Sequence, residues 1–79
     1  MNGAVSLTLS SLDARVLRAT DPWRERRVER VAQLAGCCED VAASSLRRLR
    51  ARMLVETDGC RPTGWLRTHR GDLALEHQP

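Results

Sequence analysis

A chain of 79 residues with 42% hydrophobic side chains and a formal net charge of +3 has the size of one small domain with a modest core and the composition of a globular protein rather than a disordered one. No stretch reaches the roughly 20 apolar residues of a membrane span, and residues 1–9 lack the features of a secretory signal, so we expect a cytoplasmic protein with no membrane partner. All 13 basic side chains are arginine, which is typical of a GC-rich bacterial genome or one of its phages.

The first predicted helix begins after a flexible leader of residues 1–9. Ser10 followed by Asp13 fits an N-terminal capping pattern. The pair Asp21-Pro22 ends this helix, because the residue before a proline is pushed out of the helical region. Three apolar residues share one face of the helix, with Leu9 placed to pack beside them: Leu12, Val16 and Ala19.

Two further helices follow in the middle of the chain. Residues 26–28 predict a short strand, and residues 29–35 predict a second helix that ends at Gly36, a residue suited to a positive φ. Residues 39–52 predict a third helix with Cys38 at its N-cap. The pattern therefore indicates two consecutive helices joined by a tight turn.

The third predicted helix has two distinct faces at the helical period of about 100° per residue. One stripe is apolar and should face a core: Ala42, Leu46, Leu49 and Met53. The opposite face is mostly polar: Asp40, Ser44, Arg47, Arg48 and Ala51. The helix should therefore present a polar surface from a rigidly held position.

A hairpin is predicted after the third helix. Residues 54–57 and 65–68 have strand character, and residues 58–64 between them consist of turn-forming types. Residues 72–76 predict a short final helix. We expect the two tryptophans, Trp23 and Trp65, to cover the core beneath the hairpin.

Two segments of the chain resemble known bacterial regulators. Residues 31–46, VAQLAGCCEDVAASSL, resemble the helix-turn-helix of lac-repressor-type proteins. Residues 46–59, LRRLRARMLVETDG, are similar to the recognition helix and wing of MarR-type winged-helix regulators, and Thr68-x-x-Gly71 resembles their exit segment. The resemblance implies a mainly α (α+β) winged helix-turn-helix fold over residues 10–79, with three helices and a C-terminal β-hairpin wing. The implied function is sequence-specific binding of double-stranded DNA in transcription regulation.

In this interpretation the third helix enters the major groove and the wing, residues 58–64, lies on the DNA backbone. The candidate DNA-binding residues lie on the third helix, the wing, the returning strand and the start of the second helix: Ser44, Arg47, Arg48, Arg61, Arg67 and Arg27. Further arginines cluster near the second helix, where phosphate contacts are expected: Arg24, Arg26 and Arg30. Glu39 and Asp40 stabilise the helix dipole or accept from cytosine.

The three cysteines have alternative interpretations. Cys37 fits a small apolar slot of the core, whereas Cys38, at a helix N-terminus among arginines, is also suited to a redox switch. A zinc site of Cys37, Cys38, Cys60 and His69 lacks standard ligand spacing. We expect free thiols, no metal and no cofactor. Enzyme signatures are absent from the sequence, so we expect no catalytic activity.

Two other functions remain open. One is a winged-helix module for protein–protein interaction, such as an inhibitor of host machinery, which the acidic start of the third helix favours. The other is a phage accessory protein such as an excisionase. Because no long C-terminal dimerisation helix follows the wing, we expect a monomer or a weak homodimer.

Overall fold

The computed structural model describes residues 8–58 and 64–78. In this part of the chain, helices and a two-stranded antiparallel sheet occur in the following order: α1 (Ser11–Ala19), α2 (Val28–Ala35), α3 (Glu39–Ala51), β1 (Val55–Thr57), β2 (Trp65–Arg67) and α4 (His69–Glu76). The expected α+β architecture is confirmed: three helices and a C-terminal hairpin form a winged-helix layout. None of the helices in the described ranges is long and apolar enough to cross a bilayer.

Local signals fix the ends of the first two helices. The Ser10 hydroxyl accepts a hydrogen bond from the Asp13 backbone N–H at 3.1 Å, so the predicted N-cap is confirmed. The α2 helix ends at Gly36, which has φ 73° and donates its N–H to the Ala32 carbonyl at 2.9 Å. A glycine suits this left-handed position because it lacks a Cβ. The turn between α2 and α3 is therefore built as the sequence predicts.

The core lies where α1, α2 and α3 pack against one another. Ala42, Leu46 and Leu49 are fully buried, as the stripe on α3 predicts. In α1 the buried face includes Leu17, which the predicted stripe did not contain, while Leu12 is only half-buried. Most of the predicted leader, residues 1–9, lies outside the described part of the chain, but Leu9 packs in the core cluster.

The hairpin pairs Val55 with Arg67 and Thr57 with Trp65. The predicted strand at residues 26–28 is reduced to Arg26, whose backbone N–H and carbonyl both bond to Trp65, at 3.0 and 2.8 Å. The strand is short because Val28 already begins α2. Trp65 is buried, as predicted. Residues 59–63, most of the expected wing, lie outside the described residues.

The last helix begins three residues earlier than predicted. The Thr68 hydroxyl caps α4 by accepting from the Gly71 N–H at 3.0 Å, and it donates to the Met53 carbonyl at 2.8 Å. A Cβ at residue 71 would collide with the Leu54 carbonyl. The Thr68-x-x-Gly71 segment therefore lets α4 lie directly against the chain that enters β1.

Two predicted core residues are exposed. Met53 is 69% exposed because α3 ends at Ala51, and its own backbone turns left-handed with φ 62°. This turn rotates Met53 off the apolar stripe, and Leu54 is buried instead. Trp23 is 92% exposed and does not cover the core. Its backbone N–H donates to the Asp21 carboxylate at 2.7 Å, which fixes the backbone of this turn and leaves the side chain in solvent.

Replacing Met53 by glycine tests whether Met53 lies outside the core. A non-glycine residue in the left-handed region carries a steric cost, so we expect Met53→Gly to leave the free energy of unfolding unchanged or to raise it by up to about 1 kcal/mol. Leu46→Ala, within the same apolar stripe, should lower it by about 2–5 kcal/mol. Urea unfolding measures both. If Met53→Gly lowers the free energy of unfolding as much as Leu46→Ala does, Met53 belongs to the core.

Candidate nucleic-acid interface

The second helix of the helix-turn-helix pair presents the candidate reading face. Arg47 is exposed and Ser44 is half-buried one turn before it. The Arg47 Nη2 donates to the Ser44 hydroxyl at 3.2 Å, so the two side chains are neighbours on the same face. Glu39 and Asp40 are exposed in the first turn of α3, where carboxylates stabilise the helix dipole. This face carries hydrogen-bond donors and acceptors, while the opposite face of α3 packs in the core.

Arg48, by contrast, binds the protein itself. Its Nη2 lies 2.8 Å and its Nε 3.3 Å from the two carboxylate oxygens of Asp13 on α1. Half of the Arg48 side chain remains exposed. The sequence places Arg48 among the outward residues of α3, but its guanidinium turns back to join α3 to α1. Arg48 therefore makes a structural contact with Asp13 while half of its side chain stays at the surface.

Asp13 is the centre of this joint. The carboxylate is buried and also accepts from the Ser45 hydroxyl at 2.6 Å. Burial alone would raise the pKa of Asp13. The hydrogen bonds from Arg48 and Ser45, together with the charge of Arg48, outweigh burial and hold the pKa below its ordinary value of 3.8. Sequence reasoning found Asp13 only as part of a cap, because its partners lie more than thirty residues away.

Arg67 also points into the protein. Only 15% of its side chain is exposed. Its Nη1 donates to the Leu17 carbonyl at 3.1 Å, and its Nε lies 2.8 Å from the Asp72 carboxylate. The latter contact is an ion pair without a well-directed hydrogen bond, since the Nε–H has no acceptor in line. The sequence-based assignment of Arg67 to an outward contact is not supported by this geometry.

The arginines at the start of α2 divide into two groups. Arg27 is the N-cap residue, with 75% of its side chain exposed and a loose ion pair to Glu29 at 3.8 Å. Arg24 and Arg30 are also exposed. Arg26 instead turns inward and donates to the Ala19 carbonyl at 2.8 Å. Three cationic side chains therefore remain at the surface next to the α2 N-terminus.

The cysteine predictions receive a partial answer. Cys37 is half-buried against the core rather than fully buried, and Cys38 is exposed at the N-cap of α3. Both are free thiols. Among the described residues no cluster of His, Cys, Asp and Glu could hold a metal ion. Cys60 and the candidate contact residue Arg61 lie outside the described residues.

No family model matches the chain, and no curated protein matches it either.

Acid titration tests the Asp13 joint. Because the folded pKa of Asp13 lies below the unfolded one, its stabilisation is complete above the unfolded pKa and is lost as pH falls through the folded pKa. Asp13→Asn should therefore lower the melting temperature at neutral pH. The difference in melting temperature between the parent and Asp13→Asn should shrink as the pH falls below 3.8. Thermal unfolding of both proteins from neutral to strongly acidic pH measures this.

Two arginine variants serve as a matched pair. Arg48→Ala should lower the melting temperature at neutral pH and weaken the same acid dependence, because it removes the partner of a buried carboxylate. Arg47→Ala, one residue away, should change stability by no more than about 0.5 kcal/mol. Equal losses of melting temperature in Arg48→Ala and Arg47→Ala would contradict the proposed role of the contact between Asp13 and Arg48. So would a difference in melting temperature between Asp13→Asn and the parent that does not change with pH.

Proposed function

We propose that this protein binds double-stranded DNA sequence-specifically and regulates transcription, with α3 in the major groove. One observation carries the proposal. In a winged-helix layout, the second helix of the helix-turn-helix is locked to the core on one face and carries Ser44 and Arg47 on the other. A helix held in this way fits the major groove and can offer its side chains to base edges.

The chemistry of the exposed face suits base recognition. Arginine donates two parallel hydrogen bonds to guanine O6 and N7, and serine donates to or accepts from several base edges. Asp40, on the same side of α3, supplies an acceptor for the amino group of cytosine. Arg47 is the principal reader in this proposal, with Ser44 and Asp40 as neighbours that refine the sequence preference.

The exposed arginines beside α2 supply the backbone contacts. Arg24 and Arg27 are suited to phosphate oxygens, which position a protein on the duplex without reading its sequence. Arg61 stays a predicted contact on the wing. Arg48 supports the interface indirectly by holding α3 against Asp13, and Arg67 is not part of the proposed contact surface. If the operator is palindromic, two copies should bind one helical turn or more apart.

A protein-interaction module is the second candidate function. Trp23 is 92% exposed on an ordered turn, and tryptophan is enriched among the residues that dominate protein–protein affinity. Glu39 and Asp40, on the exposed side of α3, would also repel DNA phosphates wherever no bridging group lies between the carboxylate and the phosphate. This function predicts that the chain shows no salt-dependent affinity for duplex DNA.

Selection from random duplex DNA, followed by affinity measurements against salt concentration, tests the proposal. Arg47→Ala should weaken binding to the selected site by about 1–3 kcal/mol and relax the preference at one base pair. Arg27→Ala should weaken all sequences alike and reduce the salt slope by about one. Arg18→Ala is the matched control, because Arg18 lies on the side of α1 away from α3.

The outcomes separate the candidates. Loss of affinity in the first two variants, with the control unchanged, supports α3 as the reader. No enrichment of any duplex, or equal affinity of the parent and both variants, would remove DNA binding. The protein-interaction module would then take first place.

A further inference from the structure

A second basic surface lies between α1 and α2. Four arginines line a groove there: Arg15 and Arg18 from α1, Arg26 before α2 and Arg30 within it. Leu34 and Ala35 of α2 form its apolar part. Among the residues that the structure describes, no Asp or Glu lines the groove. We call this surface the arginine groove.

The arginine groove faces away from the proposed DNA-reading helix. Asp13 and Leu17 lie on the side of α1 that packs towards α3, and Asp13 contacts α3 directly. At about 100° per residue, Arg15 and Arg18 fall on the opposite side of α1. A duplex seated on α3 would therefore leave Arg18 uncovered.

The guanidinium groups keep binding capacity at this surface. Arg15 uses its Nε to donate to the Ala35 carbonyl at 3.1 Å, and a guanidinium has four further N–H groups. Arg18 is exposed and makes no ion pair within the described ranges. Arg30 has one long contact, 3.3 Å from Nη1 to the Gln33 side chain. Arg26 is paired with Asp21 at 3.4 Å, but Arg15, Arg18 and Arg30 have no carboxylate partner among the described residues. Closely spaced arginines of this kind favour a ligand that carries several carboxylates or phosphates.

The apolar part of the groove indicates which kind of anion fits. Leu34 is 46% exposed between the arginines. A second groove on the other side of Arg15 and Arg18 adds Leu9 and Ala14 to the apolar lining. A phosphate backbone would leave Leu34 in water. A peptide helix with one apolar stripe between carboxylates would cover the leucine and pair with the arginines at once.

We propose that the arginine groove binds an acidic, amphipathic segment of a partner protein. In this complex, carboxylates pair with Arg18 and Arg30, and an apolar side chain packs on Leu34. The inference does not rest on the proposed function, because none of the arginines proposed to contact DNA lines the groove. It adds a protein partner of defined chemistry to the partners discussed above.

Fluorescence anisotropy with a labelled synthetic peptide tests the proposal. The probe is a short helical peptide with leucines at helical spacing between glutamates, and the control peptide has each leucine replaced by serine at equal charge. The variants, tested with the full chain, are Arg18→Glu and Leu34→Ser. Arg47→Glu is the matched charge reversal on α3. Circular dichroism establishes that each variant is folded.

We expect Arg18→Glu and Leu34→Ser each to weaken peptide binding at least about tenfold, with Arg47→Glu close to the parent. The serine peptide should bind at least about tenfold more weakly than the leucine peptide. Duplex DNA affinity should follow the reverse pattern, falling with Arg47→Glu and not with Arg18→Glu. If peptide binding shows this pattern and DNA binding is absent throughout, the groove stands and the proposed function falls.

Four results would overturn the inference. One is no peptide binding at millimolar concentration, and another is equal binding of the serine peptide, which would show attraction by charge alone. A third is a loss of DNA affinity in Arg18→Glu with unchanged peptide binding, which would make the groove a nucleic-acid surface. The fourth is self-association of the parent that Arg18→Glu abolishes, which would make a second copy of the chain the occupant.

Discussion

The buried carboxylate of Asp13 constrains how α3 packs on α1. A charge that leaves water must be compensated by well-placed donors, because its desolvation otherwise exceeds the gain. Here the donors are Ser45 and Arg48, both on α3. Their spacing along the helix fixes the rotation and the depth at which α3 packs on α1. Apolar side chains alone would hold α3 nearby, but they would tolerate sliding.

The orientation of the exposed face follows from this constraint. Ser44 precedes Ser45, and Arg47 precedes Arg48, so each member of the joint has a neighbour on the outer side of the helix. When the inner pair is held on Asp13, the outer pair is aimed at solvent in one fixed direction. The same stretch of sequence therefore supplies both the support and the side chains that the proposed DNA contact requires.

How far the sequence predicts the structure depends on whether a feature is local. The helices, the turn at Gly36 and the buried stripe of Leu46 and Leu49 follow from periodicity and capping, which act over a few residues. Met53 is exposed because its own backbone is left-handed just after α3. The apolar periodicity of α3 gives no sign of this change of direction. The prediction that Trp23 is buried was wrong, because whether the fold brings core residues to a tryptophan depends on contacts that are distant in sequence.

The candidate site was predicted in part for the same reason. Arg47 and Ser44 lie on the exposed face, as the helical period indicates, and Arg27 is exposed beside α2. Arg48 is exposed as well but also pairs with Asp13 on a distant element, and Arg67 turns away from the surface towards the Leu17 carbonyl. A sequence pattern cannot distinguish these two groups, because it contains no record of which carboxylate or carbonyl the fold brings within reach.

Several arginines bind through the planar, multi-donor geometry of guanidinium, and this has an evolutionary consequence. Arg48 uses two nitrogens on one carboxylate, and Arg67 reaches a carbonyl and a carboxylate at the same time. A lysine ammonium cannot reproduce either arrangement. In a lineage whose genome drifts towards AT-rich codons, lysine should accumulate at exposed positions such as Arg24 and Arg18, while Arg48 and Arg67 persist. Arginine retention across homologues would then record the contacts of the guanidinium group rather than codon bias.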